Sequence, residues 1–345
     1  MRPGRAWGLW LEPDESAELP GHEFGELVNR RIDYDVVVVH LMPEYFPGWR
    51  RREPGRRVVG YTAWEFEATL PDWSGTFDGL DALMVPCRWN RSTLEAAGVR
   101  CPVTVVPHVP ERPSFAEEEP LPVDGVHPGD FVFYTVSAWS ERKAPHLSLE
   151  AFLAAFREDD PAVFVIKTSN VNERRRRPGP LWRWALRHVE TTRREIAAIR
   201  RCSGSSARVV VLTARLTDRQ VRALHRLGDC FVSLTRSEGW GLGAFEAALA
   251  GNAVVITGHG GQLDYLPGSL AHLVPFRLVD AGGDAPGARW AEPDVQEAAA
   301  VLRALVASPD DARRRGAALR EHVQERFRAE DSMAAMLAVL AGEVR

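Results

Sequence analysis

The chain has 345 residues, 45% apolar and 26% charged, with a formal net charge of −4, so it carries no global bias toward nucleic acid and is long enough for two domains with ample core. Four cysteines, Cys87, Cys101, Cys202 and Cys230, lack metal-ligand spacing, which excludes a zinc site and points to reduced thiols in a cytoplasmic protein. Residues 1–14 carry no apolar core suited to a signal peptide, and no stretch approaches the ~18 apolar residues of a membrane span.

In chain order, apolar β-branched runs predict buried strands at 36–39, 57–61, 82–85 and 103–106. A first βα unit near residues 6–11 is hard to place. Residues 91–97 read as a helix closed by Gly98. Residues 111–129 break the pattern with four prolines and the acidic run Glu117-Glu118-Glu119, which reads as an interdomain linker. The alternation then restarts. Strands are predicted at 131–136, 162–167, 208–212, 230–234 and 253–257. Helices are predicted at 145–156, 181–201, 218–227 and 243–250, then at 293–305, 310–327 and 329–341. Pro293 suits a first helical position. This is the pattern of an α/β protein with two doubly wound parallel sheets and a ligand cleft at the carboxyl ends of their strands. No sequence repeat accompanies that two-fold architecture.

The run Glu238-Gly239-Trp240-Gly241-Leu242-Gly243-Ala244-Phe245-Glu246 is the most informative segment. A strand feeds a glycine-rich turn and then a helix, whose free N–H groups attract phosphate. The glycines admit a ligand close to the backbone, and Gly241, Leu242 and Gly243 would offer N–H groups to it. Glu238 and Glu246 flank that site and can each accept hydrogen bonds from hydroxyls. A sugar nucleotide, with phosphates in the middle and hydroxyls at both ends, has that shape.

Glu, seven residues and Glu in "SEGWGLGAFEAALAGNAVVITGHGGQLDYL" resembles the donor-site signature of retaining glycosyltransferases of the GT-B fold, family 4 type. The likeness extends to "VVGYTAWEFEATLPDWSGTFDGLDALMVPCRWNRSTLEAAGVRCPVTVVPHV" and to "FVFYTVSAWSERKAPHLSLEAFLAAF". The resemblance implies two Rossmann-like domains facing a central cleft. Residues 1–122 would bind the acceptor and form a short domain for this family. Residues 123–328 would bind the donor, and a helix over about 329–345 would cross back to the first domain.

The resemblance also assigns roles. Glu246 would hold the ribose, and Glu238 would contact the donor sugar near the reacting carbon. Ser137, Gly239 and Trp240 join Gly241, Leu242 and Gly243 in the donor site. Lys143 would neutralise the departing diphosphate. The family pairs this lysine with an arginine five or six residues earlier, where this chain has Ala138 and Ser137, so Arg142 is the candidate substitute. Trp64, Glu65 and His40 stand where an acceptor would lie, and Glu65 is a candidate to orient or deprotonate it. His108 reads as a hinge residue. The loop from Gly258 to Gln262 is a candidate contact for donor or acceptor.

Eleven tryptophans read as packing residues, with sugar stacking the sharper alternative. Arginines between 174 and 201, interleaved with Trp182 and Trp184, fit a peripheral membrane contact or an anionic acceptor. A solvated face neutralised by Glu190 and Glu195 is the favoured reading. No DxD-like motif follows a strand, in keeping with a metal-independent family in which lysine and helix dipoles meet the phosphates.

The resulting expectation is a metal-independent, retaining hexosyltransferase without cofactor, acting on a UDP- or GDP-type sugar, cytoplasmic or peripheral at the inner membrane face. A silent nucleotide-binding scaffold, a sugar-nucleotide epimerase and a phosphorylase remain as alternatives. Sugar, base, acceptor and oligomeric state are open.

Overall fold

The computed structural model describes residues 33–73, 75–109, 115, 118–175 and 191–343. The region near residues 6–11 and most of the arginine-rich segment, residues 176–190, lie outside the described residues. The amino-terminal sheet has four parallel strands in sequential order: β1 (Val36–His40), β2 (Arg57–Tyr61), β3 (Ala82–Val85) and β4 (Val103–Val105). Helices α1 (Phe46–Arg52) and α2 (Arg88–Ala96) connect them. β2 and β3 are buried almost throughout. β1 departs from the expected buried strand, because it pairs only with β2 and so forms the edge of the described sheet, with Val38 39% exposed.

The second sheet has six parallel strands in the order β10-β9-β8-β5-β6-β7. These are β5 (Phe131–Val136), β6 (Ala162–Lys167), β7 (Arg208–Leu212), β8 (Cys230–Ser233), β9 (Ala253–Thr257) and β10 (His272–Val274). Helices α3 (Pro145–Ala155), α4 (Thr192–Ser203), α5 (Asp218–Leu227) and α6 (Leu242–Ala250) link its strands. The continuous apolar runs Phe131–Val136 and Ala162–Lys167 make central strands because both faces are covered. The chain runs outward through β5, β6 and β7, then returns beside β5 as β8. That reversal opens a crevice at the carboxyl ends of β5 and β8.

Two features depart from the expected elements. An antiparallel hairpin, β11 (Phe276–Asp280) and β12 (Arg289–Pro293), follows β10. Pro293 therefore closes a strand instead of opening a helix. Lacking an N–H, it suits the end of a ladder, and Asp294 caps α7 (Val295–Ala307) by accepting from Gln296 N at 2.9 Å and Glu297 N at 3.1 Å. The hairpin packs into the other domain. Ala281, Ala285, Ala288 and Trp290 join Trp64, Phe66 and Trp73 in one buried cluster. Trp290 stacks on Phe66 at 6.2 Å, and Arg289 pairs with Glu67 at 2.6 Å.

After α8 (Pro309–Arg326), helix α9 (Ala329–Ala341) crosses to the first sheet. Val339 is buried there against Val59, Tyr61 and Met84. Arg57 donates to the Val339 carbonyl at 3.1 Å, and Ser332 donates to the Pro107 carbonyl at 2.6 Å. The segment between the sheets is bound to α5: Glu118 pairs with Arg219 and Arg222 at 3.0 and 2.9 Å. All four cysteines are unpaired. Among the described residues no helix is long and apolar enough to cross a membrane.

The hairpin yields a first prediction. Trp290→Ala removes a side chain that is 6% exposed and shared between domains, so it should cost about 3–5 kcal/mol in chemical denaturation. A loss below ~1 kcal/mol would show that the hairpin does not hold the domains together.

Candidate active site

The crevice at the sheet reversal holds a cavity of about 370 Å³, within the usual ~300–1,000 Å³ range of small-molecule sites. Val136, Ser137 and Ala138 line it from the end of β5, and the motif from Glu238 to Ala244 from the turn after β8. The first domain contributes Ala63, Glu65 and His108.

Local packing explains the glycines. Gly241 caps α6 in the left-handed region, with φ 84°, which glycine adopts without steric cost. At Gly243 a Cβ would stand 3.2 Å from the Phe231 ring and 3.5 Å from the Val136 carbonyl. Its absence seats the helix directly over β8 and β5. Trp240 lines the cavity, while its indole is turned into the core. It is 3% exposed and packs under α6 against Phe245, Tyr265 and Phe327. Tyr265 OH fixes the turn by sharing its one proton between the Trp240 and Gly241 carbonyls, at 2.9 and 2.7 Å.

Charge converges on Glu238, which is 7% exposed. Lys143 Nζ donates to both of its carboxylate oxygens, at 2.7 and 2.6 Å. Arg142 Nη1 stands 3.6 Å from the same carboxylate and donates to the Ser237 carbonyl at 2.9 Å. Arg142 Nη2 reaches Glu65 across the cleft at 3.1 Å. Burial pushes the Glu238 carboxyl up, but Lys143 and Arg142 outweigh it and hold the group below its ordinary range. Arg142 is therefore part of the cluster, with Glu65 as its partner. Ala144, next along, is the one non-glycine residue with positive φ among the described residues, at 43°. This costly conformation marks the loop as held in place by its surroundings.

A second layer of ion pairs supports the first. Glu141 pairs with Arg174 at 2.6 Å and with Arg236. Arg236 in turn meets Glu292 at 2.8 Å and lies over the Trp290 ring at 5.0 Å. Burial raises the Glu141 carboxyl, yet hydrogen bonds from Arg174 and Arg236 prevail and hold it at about 2.

The motif turn is also the domain contact. Ser237 Oγ donates to the Glu65 carbonyl, and Cys87 Sγ donates to the Gly239 carbonyl at 3.0 Å. Asp264 accepts from Arg88 N at 2.8 Å, capping α2 from the other domain. The loop from Gly258 to Gln262 lies behind the motif. Gly261 N donates to the Glu238 carbonyl at 2.8 Å, a Cβ on Gly261 would collide with the Gly239 carbonyl, and Gln262 is fully buried. It braces the site from behind.

The remaining candidates separate. Trp64 is 3% exposed, packed on Phe66 and Trp73, with its backbone bound by Asn90. Its indole belongs to the core, in the cluster that the hairpin residues also join. His40 is exposed and stacks on Tyr61 at 4.6 Å. His108 lies 5.8 Å from His40 and lines the cavity with an unpartnered Nε2. Burial, aided by His40, lowers His108 to about 4, so it is neutral at physiological pH. Ser137 lines the cavity with a buried Oγ that has no partner. Glu246 sits one turn along α6 on the same face as Leu242 and Gly243, outside the cavity lining. Its Oε2 lies 3.4 Å from Nε2 of His225, which sequence reasoning missed along with Cys87 and Arg236. Among the described residues no group of three His, Cys, Asp or Glu is placed to hold a metal.

The Glu141 pairs yield a pH prediction. A carboxyl lowered from 4.5 to about 2 contributes stability above pH 4.5 that is lost as pH falls toward 2. The stability gap between wild type and Glu141→Gln in denaturant melts should be widest above pH 4.5 and shrink on acidification. A gap that does not change with pH would contradict the assignment.

Comparison with known proteins bears on this geometry. A model of the family described as "Family 4 Glycosyltransferase in conflict systems" matches residues 162–336. Curated protein sequences gave no match. Among solved structures, Anabaena HepE in complex with UDP and glucose superposes with a TM-score of 0.65 at 14% identity, over 98% of this chain and 84% of that one. Sucrose-phosphate synthase from Thermosynechococcus elongatus gives 0.62 at 16% identity, over 89% and 73%. S. aureus TarM gives 0.63 at 12% identity over 88% of this chain, which spans only 55% of TarM. These neighbours establish the two-domain GT-B fold. With just over half of its length matched by the family model, the chain belongs to the family 4 glycosyltransferases of conflict systems.

Proposed function

We propose that the protein transfers a sugar from a nucleoside-diphosphate sugar to an acceptor hydroxyl with retention of configuration. The carrying observation is that Lys143 lines one cavity with the amino terminus of α6 at the sheet reversal, with Arg142 beside it on Glu238. A cation and a helix terminus lining one cavity, with a second cation beside the same Glu238 carboxylate, suit a diphosphate. HepE structures hold UDP and UDP-glucose, which supports a UDP-type donor here, with GDP as the comparison.

In this reading Glu246 accepts from the ribose hydroxyls and Glu238 from those of the donor sugar. Lys143 need not abandon Glu238 to serve the diphosphate. An ammonium has three protons, and the two contacts to Glu238 leave one for a phosphate oxygen. As the bond to the anomeric carbon breaks, negative charge grows on the bridging oxygen, and Lys143, Arg142 and the α6 N–H groups stabilise it. The acceptor attacks from the same face, and a phosphate oxygen takes its proton. Glu65 is committed to Arg142, so its part is to aim that guanidinium. The acceptor enters along the wall that carries His40 and His108. The cations replace a divalent ion, so the reaction proceeds without metal.

Melting shifts with UDP, GDP and their sugars test the donor. Stabilisation by one nucleoside diphosphate, followed by hydrolysis or transfer of its sugar, is the expected result. No stabilisation by any of them would reject the proposal, and binding without turnover would point to a silent scaffold. Activity should also survive EDTA; loss restored by magnesium or manganese would contradict the role given to the cations.

Lys143→Ala should lower kcat about 100- to 1000-fold. It also strips the buried Glu238 of its main partner, so stability should fall by roughly 3–5 kcal/mol, and rates must be read where the variant is folded. Arg142→Ala should approach the same loss of rate. Unaltered transfer by folded Lys143→Ala would remove the diphosphate from this loop.

A further inference from the structure

We infer that His225 is a positioning residue that holds the Glu246 carboxylate in its ligand-accepting orientation, through a buried relay from Asn252 and Tyr134. The inference rests on the proposed role of Glu246 toward the nucleotide. His225 lies on α5, 1% exposed, and is not among the residues that line the cavity. Its ring is clamped edge-on by Phe115 at 5.8 Å and Tyr134 at 5.4 Å. Tyr134 is itself wedged against Gly228, where a Cβ would collide with its ring.

The hydrogen bonds determine where the protons lie. Asn252 Nδ2 contacts the His225 carbonyl at 2.8 Å. A carbonyl only accepts, so this atom of Asn252 is the donating nitrogen. The same nitrogen contacts Tyr134 OH at 2.7 Å and donates its second proton there. Burial keeps the Tyr134 phenol protonated. Its own proton then has one place to go, Nδ1 of His225, at 2.6 Å. Nδ1 is an acceptor, so the ring proton lies on Nε2. That Nε2 has no hydrogen-bond partner of its own, and Glu246 Oε2 stands 3.4 Å from it. A buried N–H left unmade is costly, so the relay draws one carboxylate oxygen inward. The other oxygen stays on the half-exposed face shared with Leu242 and Gly243, free for ribose hydroxyls.

Titration calorimetry with UDP and with GDP on the full chain tests this, together with kcat and KM for the donor that binds. His225→Leu should weaken nucleotide binding about five- to tenfold and raise KM, with kcat at saturating donor changed less than about twofold. His225→Gln, which keeps a donor, should recover most of the affinity. Tyr134→Phe removes the proton that sets the tautomer and should weaken binding by a smaller factor; it carries the test should His225→Leu fail to fold. In a Glu246→Ala background the histidine change should add no further loss. A full additional loss there, or unchanged affinity in folded His225→Leu, overturns the inference while leaving Glu246 in its role. If Glu246→Ala alone leaves UDP and GDP affinity intact, the role of Glu246 fails first and the positioning role falls with it.

Discussion

A carboxylate with 7% exposure between two domains needs compensating charge, and the pairing of Glu238 with Lys143 supplies it. The architecture around the cleft follows from that need. Arg142 and Lys143 stand on the loop between β5 and α3, and Glu238 on the loop between β8 and α6. The sheet reversal brings these two loops side by side. Their backbones are joined as well, since Arg236 N donates to the Arg142 carbonyl at 2.8 Å. A second tier, in which Glu141 sits between Arg174 and Arg236, keeps the first from drifting. The two cations of the cluster are matched by the carboxylates of Glu238 and Glu65, and so are tolerable before any ligand arrives.

The same turn carries the contact between the domains. Ser237 and Gly239 are bound by Glu65 and Cys87, Arg142 reaches Glu65, and Arg88 is capped by Asp264. The hairpin adds an apolar plug through Trp290. Binding at the motif is therefore coupled mechanically to the separation of the domains. Any opening of the cleft must break polar contacts made by the residues that are proposed to hold the donor. An enzyme that shields an activated sugar from water benefits from that coupling.

Much of this was legible in the chain. Continuous β-branched runs such as Ala162–Lys167 identify central parallel strands, because burial on both faces leaves no place for alternation. The glycines of the motif read as places where a ligand can approach the backbone, and Gly243 also lets α6 sit close over Phe231. What local reading misses is pairing over long separations. Trp64 and Trp240 look like ligand platforms in sequence, yet one lies in a buried cluster shared with a hairpin more than 200 residues away and Phe327 packs on the other. His225 gives no signal, since a single histidine on a helix acquires meaning only beside Tyr134 and Asn252. Val38 reads as buried from composition, and only the strand order places it at an edge.

The central claim is that the Lys143–Glu238 cluster and the α6 terminus together receive a diphosphate. A crystal structure with the nucleoside diphosphate that best stabilises the protein addresses it directly. The account predicts the diphosphate within hydrogen-bond distance of Lys143 Nζ and of the Leu242 and Gly243 N–H groups, with the ribose on Glu246. A nucleotide bound elsewhere, or one at this terminus with Lys143 turned wholly toward Glu238, would contradict it.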